Sequence, residues 1–254
     1  MSMAGLIRTH AKVAGRQKAL WFTVIPLTGF ATLLAMTAPE APATGGIQEL
    51  AFTGNLIAIF TGVAYAAAFA DFFTAPVRLG MPELEAAAPV RPIVLRAARV
   101  LGAFTIVIAP SLVVLLAVGL VQTLGGSTWS LPAAVAVTAT IVGPAALIAM
   151  TLSGLAGALL PRALGRIAAV LVWFYLVFWT PLVPVPTLNG TIFNVIGDTV
   201  AEGYFGASPI YPPTGTFGLD GTPATATASL VWQLVLIFLL LVAGSVLAER
   251  AVKR

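Results

Sequence analysis

The sequence has no cysteine and a single histidine, His10, among its 254 residues. Without cysteine the chain can form no disulfide, thiolate metal site, iron–sulfur cluster or cysteine nucleophile. One histidine is too few for a histidine-ligated haem in the membrane, a histidine-rich metal site or a buried Ser–His relay. The sequence therefore predicts no catalytic residue and no metal site in this chain, and we do not expect it to be an enzyme.

Charge is also scarce. Charged residues make up 9% of the chain and hydrophobic residues 59%, whereas a soluble domain carries about 25% charged residues. So few charged side chains cannot cover a core of this size in water, and the apolar content is too high for a disordered chain. The basic residues are thinly spread, which argues against a nucleic-acid partner. The composition predicts an integral membrane protein.

Six stretches are apolar over the roughly 20 residues that a helix needs to cross a bilayer core about 30 Å thick. Because no alternating barrel pattern occurs, we expect an all-α, polytopic membrane protein made of one transmembrane domain. The first stretch is longer than the core of a signal peptide, which is about 7–15 residues, so retention is favoured over cleavage. The predicted spans are 20–38, 50–75, 100–124, 131–160, 167–185 and 229–248.

The charges orient these spans. With six spans, all 13 lysines and arginines fall in the N-terminal tail, the second and fourth connections and the C-terminal tail. The positive-inside rule then predicts that both termini lie on the cytoplasmic side of a plasma membrane, which we expect to be a bacterial inner membrane. The first, third and fifth connections contain acids and no base, namely Glu40, Glu49, Asp198, Glu202 and Asp220.

Residues 2–18 precede the first span and carry a basic stripe. Arg8, Lys12 and Arg16 recur at i, i+4 and i+8, which places them along one stripe of a helix. This pattern predicts an amphipathic helix lying in the inner interface, with membrane lipid as its partner. The alternative is a disordered basic tail that only sets orientation.

The second connection, 76–99, contains a short segment bracketed by prolines. Pro82 suits the first position of a helix, Glu83 and Glu85 favour its dipole, and Pro89 ends it. We therefore predict a helix of about two turns at the inner surface, rigid enough to transmit force to a docked protein. The alternative is a plain loop whose acids balance nearby arginines.

The fifth connection, 186–228, is long, too apolar for a free loop and too interrupted by glycine to span the membrane. It predicts short re-entrant or interfacial helices at the outer surface. The alternative is a folded outer loop with no part in passage. Its candidate functional residues are Phe193, Asp198, Glu202, Tyr204 and Phe205.

Few polar residues lie within the predicted spans. Asp71 is the only acid there, near the inner end of the second span, and we expect it to pair with Arg78 or the N-terminal bases rather than to act chemically. Asn55 and Gln122 form no recognisable constellation. Because no charge is expected near the midplane, ion-coupled secondary transport is disfavoured.

The chain also lacks a phosphate-binding loop. Such a loop needs glycine directly before lysine, and Lys12, Lys18 and Lys253 follow alanine, glutamine and valine. Any ATP and Mg²⁺ must therefore be bound by a separate polypeptide.

Taken together, these features resemble the ABC-2 type permeases of ABC transporters in their small stand-alone form. The resemblance covers the whole chain and rests on the basic helix before the first span, six spans with both ends inside, the segment from Pro82 to Pro89, and the outer segment from Thr191 to Gly206. It is a likeness of architecture, since that family has no short invariant motif.

The resemblance implies a role for each of these segments. The inner segment, with Arg78, Pro82, Glu83, Leu84 and Glu85, would couple to a separate ATP-binding subunit, and the outer segment would help to close the exit. A second permease chain, identical or related, would pair with this one. The implied function is export of an amphipathic or lipophilic compound, such as an antibiotic, a peptide or a lipid.

Two other classes of function remain open from the sequence. One is an ion-coupled carrier or a substrate-binding membrane subunit. The other is a membrane enzyme or assembly factor. A hydrolase would use Asp71, but a second catalytic group is missing beside it.

Overall fold

The computed structural model describes residues 3–38, 45–74, 91–180 and 185–252, and every regular element in these ranges is helical. The prediction of an all-α protein is therefore confirmed for this part of the chain. In chain order its helices are α1 (Met3–Gly15), α2 (Lys18–Thr37), α3 (Ile47–Ala68), α4 (Pro92–Val107), α5 (Ala109–Leu124), α6 (Ser130–Val137), a π-helical turn (Thr138–Val142), α7 (Gly143–Leu159), α8 (Arg162–Phe178), α9 (Asp198–Phe205) and α10 (Pro223–Val252).

Five helical stretches in the described ranges are long and apolar enough to cross a membrane, as in a multi-pass membrane protein. They are Leu20–Thr37, Ile47–Ala68, Ile93–Leu124, Ser130–Leu159 and Pro223–Arg250. Each overlaps one of the six predicted spans. The remaining prediction, 167–185, overlaps α8, which has 17 residues and is about 26 Å long.

Several helix boundaries differ from the predicted ones for local reasons. The helix over the second predicted span ends at Ala68 and is followed by turns through residue 74. The last helix begins earlier than predicted, at Pro223, where Thr222 and Thr225 exchange hydrogen bonds between backbone N–H and side-chain Oγ1 of 2.8 and 3.2 Å. This reciprocal cap, together with proline at the first helical position, starts the helix.

Two helices of the bundle are interrupted next to proline. The stretch Ile93–Leu124 breaks at Ile108, two residues before Pro110. The π-helical turn Thr138–Val142 lies just before Pro144. Proline has no N–H and its ring clashes with the preceding turn, so the backbone re-pairs around it.

The core of the molecule lies around α3 and the α6–α7 stretch. In their most apolar windows 78% and 72% of the residues are buried, against 17–28% in the three other long stretches. The surrounding helices expose large apolar side chains such as Phe22, Val121, Leu171 and Phe238. An apolar outer surface of this kind suits lipid rather than water.

The N-terminal helix α1 packs along α4. A Cβ atom at Gly102 of α4 would lie 2.6 Å from the Ile7 carbonyl oxygen of α1, so the two backbones meet closely there. Leu6 and Ala14 of α1 are buried.

Opposite charges collect at the two ends of the bundle. We call one end the basic end, since Arg96, Arg99, Arg162 and Arg166 make their contacts there. The other is the acidic end, which carries Glu49, Asp198, Glu202 and Asp220. Contacts between neighbouring helices fix this arrangement: Arg99 at the start of α4 donates to the Phe72 carbonyl beyond α3, and Gln122 at the end of α5 donates to Glu49 at the start of α3.

Candidate functional site

The described part of the fifth connection, residues 185–222, folds onto the acidic end, and we call it the acidic-end segment. Its helix is α9, which begins after Gly197 and ends before Gly206. Both glycines have left-handed backbone angles, with φ of 76° and 66°, a conformation that glycine adopts without the penalty of a Cβ. The glycines that argued against a spanning helix thus delimit a short one.

Asp198, the first residue of α9, lies at the centre of the segment and is 2% exposed. Its carboxylate accepts hydrogen bonds from the backbone N–H groups of Ile210 (2.8 Å) and Tyr211 (2.9 Å). It also accepts one from Nδ2 of Asn55, at 3.1 Å. The carboxylate therefore joins α9, the loop that follows it and the central helix α3.

The contact with Asn55 is deep in the bundle. Asn55 is eight residues from the first residue of α3, Ile47, and a helix rises 1.5 Å per residue, so the contact lies about 12 Å below the end of that helix. The interpretation that Asn55 belongs to no constellation is wrong, because its partner is 143 positions away in the chain.

A second set of hydrogen bonds holds the segment to α10. Gln233 donates from Nε2 to the Asn194 carbonyl oxygen at 3.1 Å, and Trp232 donates from Nε1 to the Phe193 carbonyl oxygen at 3.1 Å. Asn194 in turn accepts the Asp198 backbone N–H through Oδ1, at 2.9 Å. Buried side chains therefore satisfy the backbone of this non-helical stretch, as burial in a bundle requires.

A third set holds the segment to the end of α8. Asn189, which is fully buried, donates to the carbonyl oxygens of Val177 (3.1 Å) and Trp179 (2.9 Å). The Tyr211 hydroxyl donates to Val177 as well, at 2.6 Å. These bonds use carbonyl groups that the end of a helix leaves without an intrahelical partner.

The electrostatics of Asp198 follow from this burial. Desolvation raises its pKa from 3.8 to about 6, and the charge of Glu202 adds to the rise. Hydrogen bonds from Tyr211, Ile210 and Asn55 act in the opposite direction. The pKa of Tyr211 is also raised, first by burial and then by the Asp198 charge.

Several buried amide oxygens in this region have no hydrogen-bond partner among the described residues. They are Oδ1 of Asn55, Oδ1 of Asn189 and Oε1 of Gln233. A buried acceptor without a donor costs about 1–3 kcal/mol. Each of these oxygens could accept a hydrogen bond from a donor that came within reach.

The other candidate functional residues of the segment, Phe193, Glu202, Tyr204 and Phe205, lie in different surroundings. The Phe193 ring packs edge-on against Phe217 and Trp232, with centroids 5.2 Å apart in each pair. Tyr204 is exposed, and its hydroxyl lies 2.7 Å from Thr227 Oγ1. Together with Phe205, Tyr204 lines an open depression of about 470 Å³. Glu202 lies one turn after Asp198 on α9.

At the basic end, Asp71 pairs with the start of α8. Its Oδ2 lies 2.6 Å from Arg162 and 3.4 Å from Arg166. The expectation of a structural ion pair is therefore met, although these arginines come from the fourth connection. The expected partner Arg78 lies outside the described residues.

Arg96 is a buried cation at the same end, 5% exposed. It donates to the Ser245 carbonyl oxygen at 2.5 Å and to Glu249 at 3.2 Å, both on α10. Sequence reasoning missed it, because it assigned residue 96 to the inner connection rather than to the first turns of a helix.

The remaining candidates divide between exposed and undescribed residues. Arg8 and Lys12 are exposed on α1, and Arg16 is exposed directly after its last residue. The predicted coupling residues Arg78, Pro82, Glu83, Leu84 and Glu85 lie outside the described residues. Within the part of the chain that the structure describes, no group of three or more His, Asp or Glu side chains could hold a metal ion.

No protein-family model matches the chain, and the search of curated proteins finds no match.

Proposed function

We propose that this chain is the membrane-spanning permease subunit of an ATP-driven ABC transporter of the ABC-2 type. In this proposal α8 is the sixth span, both termini are cytoplasmic, and the basic end of the bundle faces the cytoplasm of a bacterial inner membrane. ATP and Mg²⁺ act on a separate ATP-binding subunit, and a second permease chain completes the transporter. The cargo is an amphipathic or lipophilic compound.

The observation that carries this proposal is the polar division of the bundle. The basic end joins neighbouring helices through Asp71–Arg162 and Arg96–Glu249, and the predicted coupling segment connects α3 and α4 at that end. The acidic end is covered by a folded segment that contacts α3, α8 and α10. The resemblance implies this arrangement, with the ATP-binding subunit docked at one end of the bundle and the substrate leaving at the other.

The proposal predicts that replacing Glu83-Leu84-Glu85 with Gly-Ser-Gly uncouples the permease from its ATPase. The tagged chain, purified from its native membrane, should carry an ATP-hydrolysing partner. In the variant, both the amount of co-purified partner and the rate of ATP hydrolysis should fall at least tenfold. The matched control places the same three residues at Gly218-Leu219-Asp220, in the acidic-end segment, where Leu219 and Asp220 are exposed and the ATPase should be retained. Undiminished ATPase association in the first variant would refute the coupling assignment.

A second candidate, the ion-coupled carrier, is favoured by one observation. Asp198 is a buried carboxylate that contacts the central helix α3 through Asn55, and buried ionisable groups in membrane proteins commonly lie on ion pathways. Transport by the lone chain in liposomes, driven by a proton gradient without ATP, would favour the carrier over the ABC permease.

A further inference from the structure

We propose that Asp198 is a proton-binding site, and that the bound proton holds the acidic-end segment closed against the central helix α3. The inference does not depend on the proposed transport function. It rests on the geometry around one carboxylate.

The Asp198 carboxylate links the acidic-end segment to the central helix α3. Asp198 joins the start of α9 to the N–H groups of Ile210 and Tyr211 in the following loop, and to Asn55 of α3. The segment lies over the end of the bundle, so its opening would expose this group to water. Closed and open arrangements would therefore place the same carboxyl in very different surroundings.

Asn55 can accept a hydrogen bond from the carboxyl group of protonated Asp198. With the carboxylate ionised, Asn55 donates from Nδ2, and its Oδ1 stays buried without a partner. When a proton from water binds Oδ1 of Asp198, the group becomes neutral and gains an O–H donor. An exchange of the amide nitrogen and oxygen of Asn55 then lets the buried Asn55 oxygen accept that O–H.

The charge of Glu202 acts in the same direction, since it raises the pKa of Asp198. Glu202 follows one turn later on α9. The other titratable groups at this end are Tyr211 in the loop, Glu49 at the start of α3 and Asp220 near the end of the segment. From α10 the side chains of Trp232 and Gln233 contact the segment through Phe193 and Asn194, and Ile141 meets Gly197 from the π-helical turn. No described lysine or arginine lies at this end to favour the ionised form.

The direction of the pH effect follows from linkage. Burial gives Asp198 a pKa of about 6 in the closed segment, against 3.8 for the exposed group. Between these values the closed arrangement binds more protons than the open one, so lowering the pH favours closure, and raising it through about 6 removes that advantage. The two pKa values predict that the closed form gains about tenfold between pH 7.5 and pH 5.

Labelling of single cysteines tests the proposal, since the chain contains no other cysteine. Ala207 is 2% exposed, and the adjacent Ser208 is exposed. The rate at which a membrane-impermeant maleimide labels Ala207→Cys, divided by the rate for Ser208→Cys at each pH, removes the pH dependence of the thiol. This ratio should fall about tenfold from pH 7.5 to pH 5.

Two substitutions identify the group that titrates. Asp198→Asn imitates the protonated carboxyl, so the ratio should stay low and change less than twofold with pH. Glu202→Gln removes the nearest like charge, so the midpoint should move to lower pH while the fall remains. A flat ratio with Asp198 intact, a ratio that rises in acid, or an unchanged fall in Asp198→Asn would each overturn the proposal.

Thermal unfolding of the cysteine-free protein gives a measurement that does not depend on the reporter. Its melting temperature should rise from pH 7.5 to pH 5 by more than that of Asp198→Asn, because protonation removes a buried charge only when Asp198 is present. Equal pH dependence in the two proteins would overturn the proposal even if the cysteine variants failed to fold.

Discussion

At the scale of single residues, glycine decides how closely the central helices approach. Gly62 of α3 lies under the indole of Trp173, which is fully buried on α8. Trp173 also donates from Nε1 to the Ile59 carbonyl oxygen of α3, at 3.1 Å. The ring lies flat on backbone that no side chain covers, so this contact needs a residue without a Cβ.

We predict that Gly62→Ala destabilises the protein by about 2 kcal/mol, because overpacking a close contact costs about 1–3 kcal/mol. A Cβ there would lie 2.1 Å from Trp173 Cζ2, and the ring cannot move without losing its bond to Ile59. Unfolding in detergent micelles, followed by tryptophan fluorescence, measures the change.

Gly29→Ala is the matched control for this prediction. Gly29 lies inside α2, and a Cβ there would meet no atom within 4 Å beyond its chain neighbours and the backbone of its own helix. Alanine at this position should therefore cost nothing and can add up to about 1 kcal/mol through helix propensity. Equal effects of the two substitutions would show that the Trp173 contact does not limit the approach of α3 and α8.

At the scale of helices, the sequence predicts the features that depend on residues close together in the chain, such as the position of a helix and its interruptions. Apolar length located the five stretches that are long and apolar enough to cross a membrane, and a proline lies beside each interruption. Long-range pairs are different in kind. Asn55 and Asp198 are each unremarkable in their own segment, and only the packing of α9 against α3 makes them partners. The same holds for Asp71, which follows α3, and Arg162, which begins α8.

Burial also separates two arginine contacts that look equivalent in the sequence. Arg96 is 5% exposed and ties α4 to α10, whereas the Arg162 side chain is 62% exposed and pairs with Asp71 beside α3. Breaking a buried network leaves polar partners unsatisfied, while an exposed ion pair is screened by solvent and contributes little.

We therefore predict that Arg96→Gln lowers the free energy of unfolding by about 2 kcal/mol or more. The control Arg162→Gln should lower it by less than about 1 kcal/mol. Thermal unfolding of both variants in the same detergent gives the comparison. A loss at Arg162 as large as that at Arg96 would mean that the exposed pair, and not the buried cation, holds the basic end together.

At the scale of the whole molecule, five stretches are long and apolar enough to cross a membrane, and α8 decides whether a sixth crossing is added. If α8 crosses the membrane, the acidic-end segment lies on the same side as the other acidic connections, and the C-terminal bases lie on the same side as the other bases. If α8 does not cross, the segment shares the side of Arg162, and the final bases lie on the opposite side from the other bases. The structure joins α8 to Asp71 at its start and to the acidic-end segment at its end, which favours a crossing.

Single cysteines at three exposed positions separate these topologies. In intact cells an impermeant maleimide should label Thr128→Cys, in the connection after α5, and should label Ala163→Cys, at the start of α8, only after permeabilisation. Thr216→Cys, in the acidic-end segment, then decides between six crossings and five. We expect it to be labelled like Thr128, because six crossings keep the C-terminal bases on the same side as the other bases, as the positive-inside rule favours. Labelling like Ala163 would remove α8 from the spans, move the acidic end of the last helix inside, and leave the proposed exit on the side of the ATPase.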